Sequence, residues 1–197
     1  MQRPISVAIT GGIGAGKSSA LASFANHGAA IVSSDEIVHH LLRDDDEVKQ
    51  ALVQRLGHGI VAPDGSIDRE AVARVVFRDR ELLSWLEALL HPRVSAEYLR
   101  WRDELGKLPD PPPVCVTEVP LLYEAGGESR FDKVVVITAP RKLREARTQK
   151  VLGADREQRL IPDAEKAKRA DFVYVNTGSP AELDDFVAEV MEELAAV

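Results

Sequence analysis

The feature that most constrains this chain is a glycine-rich stretch, Gly11–Ser18, between a run of β-branched residues and a helical segment. It matches the pattern G-x-x-x-x-G-K-[ST] at every defined position. Glycines let backbone N–H groups close around phosphate oxygens, and the N-terminus of the following helix adds a favourable partial charge. No G-x-G-x-x-G frame fits, because the sixth residue is Lys17 counted from Gly12 and Ser19 counted from Gly14. The stretch therefore predicts a P-loop, a nucleoside-triphosphate site.

The P-loop residues have separate predicted roles. Lys17 is expected to reach the β- and γ-phosphates, and the Ser18 hydroxyl is expected to ligate Mg²⁺. Mg²⁺ keeps several waters, so a chain with few carboxylate clusters can still bind it. The predicted phosphate-contacting residues are Gly12, Ile13, Gly14, Ala15, Gly16, Lys17, Ser18 and Ser19.

Five short apolar runs alternate with helical segments along the chain. The runs lack strict alternation, as expected for strands that helices cover on both faces. Such an order predicts an α/β fold with a parallel five-stranded sheet. The predicted strands are Ile5–Thr10, Ala30–Ser34, Val114–Val119, Lys133–Thr138 and Phe172–Asn176. The helices predicted between and after them are Lys17–His27, Arg141–Leu152 and Pro180–Ala196.

The connection between the second and third strands, residues 36–113, is far longer than an ordinary loop. Its apolar residues recur at helical spacing, for example Val48, Leu52 and Leu56. We therefore expect a helical subdomain inserted into a single domain of residues 1–197, ending at the proline-rich linker Pro109–Pro113.

Composition excludes several classes of protein. The 197 residues carry a net charge of −7 and one cysteine, so disulfide scaffolds and nucleic-acid binding by bulk charge are not expected. No apolar run is long enough for a membrane span. Residues 141–169 nevertheless hold ten bases against five acids, which fits either a small anionic ligand or a solvated helix face. We expect a soluble cytoplasmic protein with no membrane, nucleic-acid or obligatory protein partner.

The type of nucleotide enzyme follows from motifs that are missing. The chain has no N-K-x-D motif, which a GTPase needs to recognise guanine. The segment Glu118–Glu124, at the end of the third predicted strand, has no acidic Walker-B run. The chain combines a short P-loop domain, a helical insertion and a later basic helix. This organisation is typical of a small-molecule kinase.

Several motifs together resemble the dephospho-CoA kinase family, over nearly the whole chain. Ile9–Ser18 is similar to the start of that family, and Asp35 falls on the last Asp of its Asp-Ala-Asp. The other similar segments are Asp64–Arg69, Val76–Phe77, Leu86–Pro92, Val119–Glu124 and Ala170–Gly178. The resemblance implies a three-layer P-loop NTPase fold with an acceptor-binding helical subdomain. It also implies transfer of the ATP γ-phosphate to the ribose 3′-hydroxyl of dephospho-CoA, with Mg²⁺.

The resemblance assigns further residues. Asp35 is expected to accept the hydroxyl proton or hold a Mg²⁺-bound water, the alternative being an N-cap for a helix starting at Glu36. Glu118 is expected either to reach Mg²⁺ through water or to end a buried strand in a hydrogen bond. Arg147 is expected to neutralise the transferring phosphoryl group, as part of a lid over residues 141–160, with Lys150, Arg156 and Arg159 as alternatives. The remaining expected contacts are Asn176 and Gly178 for the nucleotide, and Arg69, His91, Pro120 and Leu121 for the acceptor.

Three departures from the family pattern stand out. Ser33 occupies the position of the first Asp of Asp-Ala-Asp, Leu160 that of a Gln, and the stretch from Arg147 to Arg156 is about six residues shorter than usual. Two other functions therefore stay open: a P-loop kinase for another nucleotide or nucleoside, and a relative that binds ATP but has lost catalysis.

Overall fold

A computed structural model describes residues 3–148 and 160–196 of the chain. Within them a five-stranded sheet has the order β2-β3-β1-β4-β5, and every neighbouring pair is parallel. The predicted α/β class is confirmed. The strands are β1 Ile5–Thr10, β2 Ala30–Ser33, β3 Val114–Glu118, β4 Lys133–Thr138 and β5 Phe172–Val175.

Helices cover both faces of this sheet, which explains why the strands lack polar alternation. On one face, Val7 and Ile9 of β1 pack with Phe24 of α1 (Lys17–Asn26) and with Val187 of the C-terminal helix. On the other face, Ala8, Val134 and Val136 pack with Leu122 and Tyr123, which follow β3. The C-terminal helix, Pro180–Ala195, begins with a capping box between Ser179 and Glu182.

The chain divides into two compact units, and the second consists of residues 34–100. Its helices are α2 Ser34–Asp44, α3 Asp46–Leu56, α4 Arg69–Val76 and most of α5, Arg80–Leu105. Asp45 caps α3 by accepting from the Val48 N–H, and Asp68 caps α4 by accepting from the N–H groups of Glu70 and Ala71. The expected boundaries of the insertion were residues 36–113; its role in acceptor binding remains a prediction.

Because the residue before a proline disfavours the helical conformation, the sequence predicts that the long helix of this unit ends at His91, and this prediction is wrong. Helix α5 runs from Arg80 to Leu105 with Pro92 inside it. Proline removes only one intrahelical hydrogen bond, and the buried side chains of Leu90, Val94 and Tyr98 hold the helix on either side of it. The Arg93 guanidinium donates to the Leu89 carbonyl at 3.0 Å, which supports the backbone around the proline.

The described part of the first unit, which comprises residues 1–33 and 101–197, contains two further helices before the C-terminal one. Helix α6 covers Arg141–Thr148, and α7 covers Asp163–Lys168; we number the C-terminal helix α8. Residues 149–152 of the predicted helix lie outside the described residues. No helix in the described part of the chain is long and apolar enough to cross a membrane.

Cys115 lies buried in β3, as expected for a core thiol. Burial raises the pKa of this thiol to about 11, because the thiolate would lose its hydration. The side chain is therefore a neutral apolar group at physiological pH.

A buried ion pair joins α7 to the turn after β3. The Lys166 ammonium is 1% exposed and lies 2.8 Å from Oε1 of Glu124, which is 14% exposed. The same oxygen accepts from the Ile161 N–H at 3.0 Å. Each charge therefore depends on the other for its solvation.

We expect Lys166→Met to lower the free energy of unfolding by about 3 kcal/mol, because it leaves the Glu124 carboxylate buried without its cation. Urea denaturation measures this loss. The double variant Lys166→Met/Glu124→Gln keeps an acceptor for the Ile161 N–H and removes both charges, so it should recover more than half of it. Equal stability of the single variant and the wild type would show that the buried Glu124 carboxylate does not depend on Lys166.

Candidate active site

The P-loop joins the carboxyl end of β1 to the first residue of α1, Lys17. Gly11, Gly14 and Gly16 have φ values of 142°, 74° and 104°, in the region that side-chain residues avoid. Gly16 occupies the N-cap of α1, where no described side chain caps the helix. The first N–H groups of α1 therefore face the loop, which is the arrangement that binds anions.

Close packing beneath the loop explains its glycines further. A Cβ on Gly11 would collide with the carbonyl oxygen of Ile137 in β4, and one on Gly16 with the amide nitrogen of Asn176. The loop consequently rests directly on the carboxyl ends of β4 and β5. Larger residues would lift it off the sheet.

Lys17 and Ser18 place a cation and a hydroxyl group at this loop. Lys17 is buried, and its ammonium donates to the Gly12 carbonyl at 3.1 Å, which holds it along the inside of the loop. The exposed Ser18 hydroxyl donates to Oε2 of Glu118 at 3.3 Å. A hydroxyl and a carboxylate at hydrogen-bond distance are oxygen donors of the type Mg²⁺ prefers.

Glu118 thus lies beside the predicted metal ligand. Its side chain is buried at the end of β3, and it accepts the Ser18 hydrogen bond there. A hydrogen bond at the end of a buried strand was one of the two roles left open for this residue; water-mediated contact with Mg²⁺ remains a prediction.

Asn176 and Arg147 both hold the Ala15 end of the loop. The buried Asn176 amide donates to the Ala15 carbonyl at 2.8 Å. Arg147 donates to the same carbonyl at 3.4 Å, to the Asn176 side-chain oxygen at 3.1 Å and to the Asn176 carbonyl at 3.2 Å. All three acceptors are uncharged oxygens of the protein. Through its described contacts, Arg147 therefore connects α6 to the loop and to the end of β5.

The turn after β3 adjoins the carboxyl end of β1. Thr10 donates its hydroxyl hydrogen bond to the Pro120 carbonyl at 3.2 Å, and Leu121 accepts from the Ala125 N–H at 3.0 Å. Both Pro120 and Leu121 are partly exposed, whereas the next two residues are buried. Gly178 is exposed two residues after Asn176 and lies against the carboxylate of Glu182 in the capping box.

In the second unit, Arg69 contacts His39, a residue that the sequence reasoning did not place in the site. Asp35 is the second residue of α2, and His39 lies one turn further on the same face. The Arg69 guanidinium is 3.1 Å from Nδ1 of His39. The spacing of four between Asp35 and His39 was the available signal. His91, by contrast, is exposed in the middle of α5.

The alternative role of Asp35 as a helix cap is wrong. Helix α2 begins at Ser34, so Asp35 is inside its first turn and Ser33 precedes the helix. Ser33 ends β2, where it pairs in register with Glu118 of β3. Asp35 is exposed two residues after the end of β2, and its role as a proton acceptor remains a prediction.

Only part of the predicted lid can be compared with the structure. Residues 141–148 form α6, and Leu160 is partly exposed. The alternative phosphate-contacting residues Lys150, Arg156 and Arg159 lie outside the described residues.

Comparison with known proteins adds an independent result. The family model for dephospho-CoA kinase matches residues 5–182. A dephospho-CoA kinase of Symbiobacterium thermophilum is 38% identical over 179 residues, covering 88% of this chain and 74% of that protein. The structure of TT1252 from Thermus thermophilus has a TM-score of 0.77 at 33% identity, covering 98% of this chain and 99% of that one. Dephospho-CoA kinase from Campylobacter jejuni has a TM-score of 0.71 at 27% identity, covering 96% of each chain.

Gly16→Ala should weaken ATP binding by more than about tenfold, because the added Cβ displaces Asn176 and moves the N–H groups of α1. Titration calorimetry measures the effect. Gly28→Ala is the matched control, since Gly28 also has a positive φ, 89°, but nothing lies within 4 Å of its Cβ position. Gly28→Ala should lose about 1 kcal/mol of stability from its backbone conformation alone, and Gly16→Ala should lose more because of the added collision. If they bind ATP equally well, close packing under the loop does not shape the site.

Proposed function

The chain belongs to the dephospho-CoA kinase family, and we propose that its P-loop unit binds ATP while its helical unit binds dephospho-CoA. The enzyme phosphorylates dephospho-CoA with ATP as co-substrate and so forms CoA, the last step of CoA biosynthesis. The observation that supports ATP binding by the first unit is the P-loop between β1 and α1, with Lys17 inside it and Ser18 beside Glu118.

The phosphates of ATP bind over the loop from Gly12 to Ser19, where the backbone N–H groups at the start of α1 donate to them. The Lys17 ammonium neutralises the β- and γ-phosphates and moves with the loop, because it is tethered to the Gly12 carbonyl. Asn176 and Gly178, just beyond β5, contact the nucleoside end. The protein thereby supplies positioning and charge neutralisation, which dominate phosphoryl transfer.

The oxygen donors of Ser18 and Glu118 fit Mg²⁺: the Ser18 hydroxyl would hold the ion as a ligand, and the neighbouring Glu118 carboxylate would support it through water. When bound, the ion offsets negative charge on the β- and γ-phosphates. Ser18 and Glu118 also hold each other in place, because the hydroxyl donates to the carboxylate.

The acceptor contacts the helical unit through residues on α2, α4 and α5. Asp35 accepts the proton of the acceptor hydroxyl as its oxygen bonds to the γ-phosphorus and the bond to the β-phosphate oxygen breaks. Arg69 contacts a phosphate of the acceptor, and His39 orients its guanidinium. His91 of α5 also contacts the acceptor, and so do Pro120 and Leu121 of the turn after β3.

A coupled assay with ATP, Mg²⁺ and dephospho-CoA tests this function directly. CoA formation that stops on chelation of Mg²⁺ supports it. ATP binding without transfer would instead support a relative that has lost catalysis, as the Ser33 and Leu160 departures allow.

Asp35→Asn should lower kcat by about 10²–10⁴-fold and leave the affinity for ATP unchanged, because it removes a proton acceptor but no nucleotide contact. Steady-state kinetics with dephospho-CoA, together with ATP titration, separates the two effects. Glu36→Gln removes the neighbouring exposed carboxylate of α2 and should leave kcat within about twofold. Similar kcat values for the two variants would exclude Asp35 as the proton acceptor.

A further inference from the structure

Asn176 makes hydrogen bonds through both its backbone and its side chain at the point where β5 ends. Its backbone N–H donates to the Thr138 carbonyl at 2.7 Å, which continues the pairing of β4 with β5 by one residue. Its backbone carbonyl and its side-chain oxygen both accept from Nη2 of Arg147, at 3.2 Å and 3.1 Å. The residue is buried, so β4 and α6 together set its position.

The same contacts fix the orientation of the Asn176 side-chain amide. A guanidinium carries only donors, so the amide atom that Arg147 contacts must be the oxygen. A carbonyl is only an acceptor, so the amide atom that faces the Ala15 carbonyl at 2.8 Å must be the nitrogen. Both neighbours therefore require the same orientation, in which the amide nitrogen donates to Ala15.

Ala15 and Gly16 share one peptide group, and the Asn176 amide lies against both residues. Its nitrogen donates to the Ala15 carbonyl and would collide with a Cβ on Gly16. The C=O and N–H of a trans peptide point in opposite directions, so a carbonyl held towards Asn176 turns the Gly16 N–H away from it. The Gly16 carbonyl accepts from the Ala20 N–H at 3.0 Å, as part of the first turn of α1. A side chain 161 positions from Ala15 thus sets the direction of an N–H at the start of this helix.

We propose that Asn176 is a positioning residue of the P-loop, whose side-chain amide holds the Ala15–Gly16 peptide so that the Gly16 N–H donates to a phosphate oxygen. A rotated peptide would present its carbonyl oxygen to the anion instead of its N–H. Arg147 contributes by holding the oxygen of the same amide. This inference rests on the proposed binding of ATP at the P-loop, and it adds a second role to the nucleoside contact proposed for Asn176.

Inorganic tripolyphosphate tests this role, because it carries the phosphate chain of ATP without the nucleoside. Asn176→Leu keeps the approximate volume of the side chain and removes its donor. It should weaken tripolyphosphate and ATP by a similar factor, about tenfold, in titration calorimetry. A loss confined to ATP would show that Asn176 contacts the nucleoside alone, and unchanged affinity for both would exclude any role in binding. Either result overturns the proposal.

Two further variants separate the hydrogen bond from packing and folding. Asn176→Ala also removes the donor but leaves space instead of filling it, so it should weaken both ligands as Asn176→Leu does. Wild-type tripolyphosphate affinity in Asn176→Ala would contradict a role for the hydrogen bond. Thr177→Ala is the matched control, because Thr177 is exposed and its hydroxyl donates to the Val175 carbonyl at 3.5 Å. It should change either affinity by less than about twofold, and thermal unfolding checks that all three variants are folded.

The amide resonance of Gly16 in ¹⁵N–¹H spectra reports on this peptide in the folded protein. Loss of the hydrogen bond to the Ala15 carbonyl should shift that resonance in Asn176→Leu, while the resonances of β1 and β3 stay in place. An unshifted Gly16 resonance would show that the peptide is held without Asn176, and would contradict the proposal.

A double-mutant cycle on tripolyphosphate affinity tests the part of Arg147. If Arg147 acts through Asn176, Arg147→Met weakens binding in the wild type and has little further effect in Asn176→Leu. Additive losses would contradict this part of the proposal.

Lys17→Met distinguishes failure of this inference from failure of the proposed function. If Lys17→Met binds ATP and tripolyphosphate as the wild type does, the nucleotide site is misplaced and both proposals fall. If Lys17→Met abolishes binding of both ligands and Asn176→Leu weakens neither, only the role of Asn176 is excluded.

Discussion

The backbone of the P-loop can surround a phosphate only while it lies directly on the sheet edge. Gly11 packs against the Ile137 carbonyl, and Gly16 against the Asn176 amide, at distances that leave no room for a Cβ. The same two glycines have positive φ values, so both steric space and backbone conformation require them. The position of Lys17, the start of α1 and the place of Ser18 beside Glu118 all follow from this contact.

Charge is distributed around that loop by elements that are distant in the sequence. Helix α6 brings two arginines to it, and α7 brings Asp163. Helix α7 is itself fastened by the buried pair of Lys166 and Glu124, which connects it to the turn after β3. The net charge of −7 conceals this arrangement, because six acids lie in residues 181–197 with no basic residue among them.

Sequence reasoning identified motifs better than it identified partners. The strand–glycine–helix order of residues 5–26 predicted the loop, because phosphate binding needs those residue types in adjacent positions. It misjudged Pro92, since the tolerance of a helix for proline depends on the packing of the turns around it. It predicted a phosphate contact for Arg147, which remains a prediction, but it did not predict the contacts of this guanidinium with Ala15 and Asn176. It did not connect His39 with Arg69, which lies far away in the chain.

The sequence by itself determined the fold class, the location of the triphosphate site and the kinase family. These depend on local patterns: apolar runs with the spacing of strands and helices, and glycines required by local backbone geometry. Only the tertiary structure decided which side chain meets which atom, as for Glu118 with Ser18, Arg147 with Asn176, and Lys166 with Glu124. A parallel sheet joins strands through long crossovers, so residues as far apart in the chain as Ser18 and Glu118 meet at one edge, and no local pattern records which of them will touch.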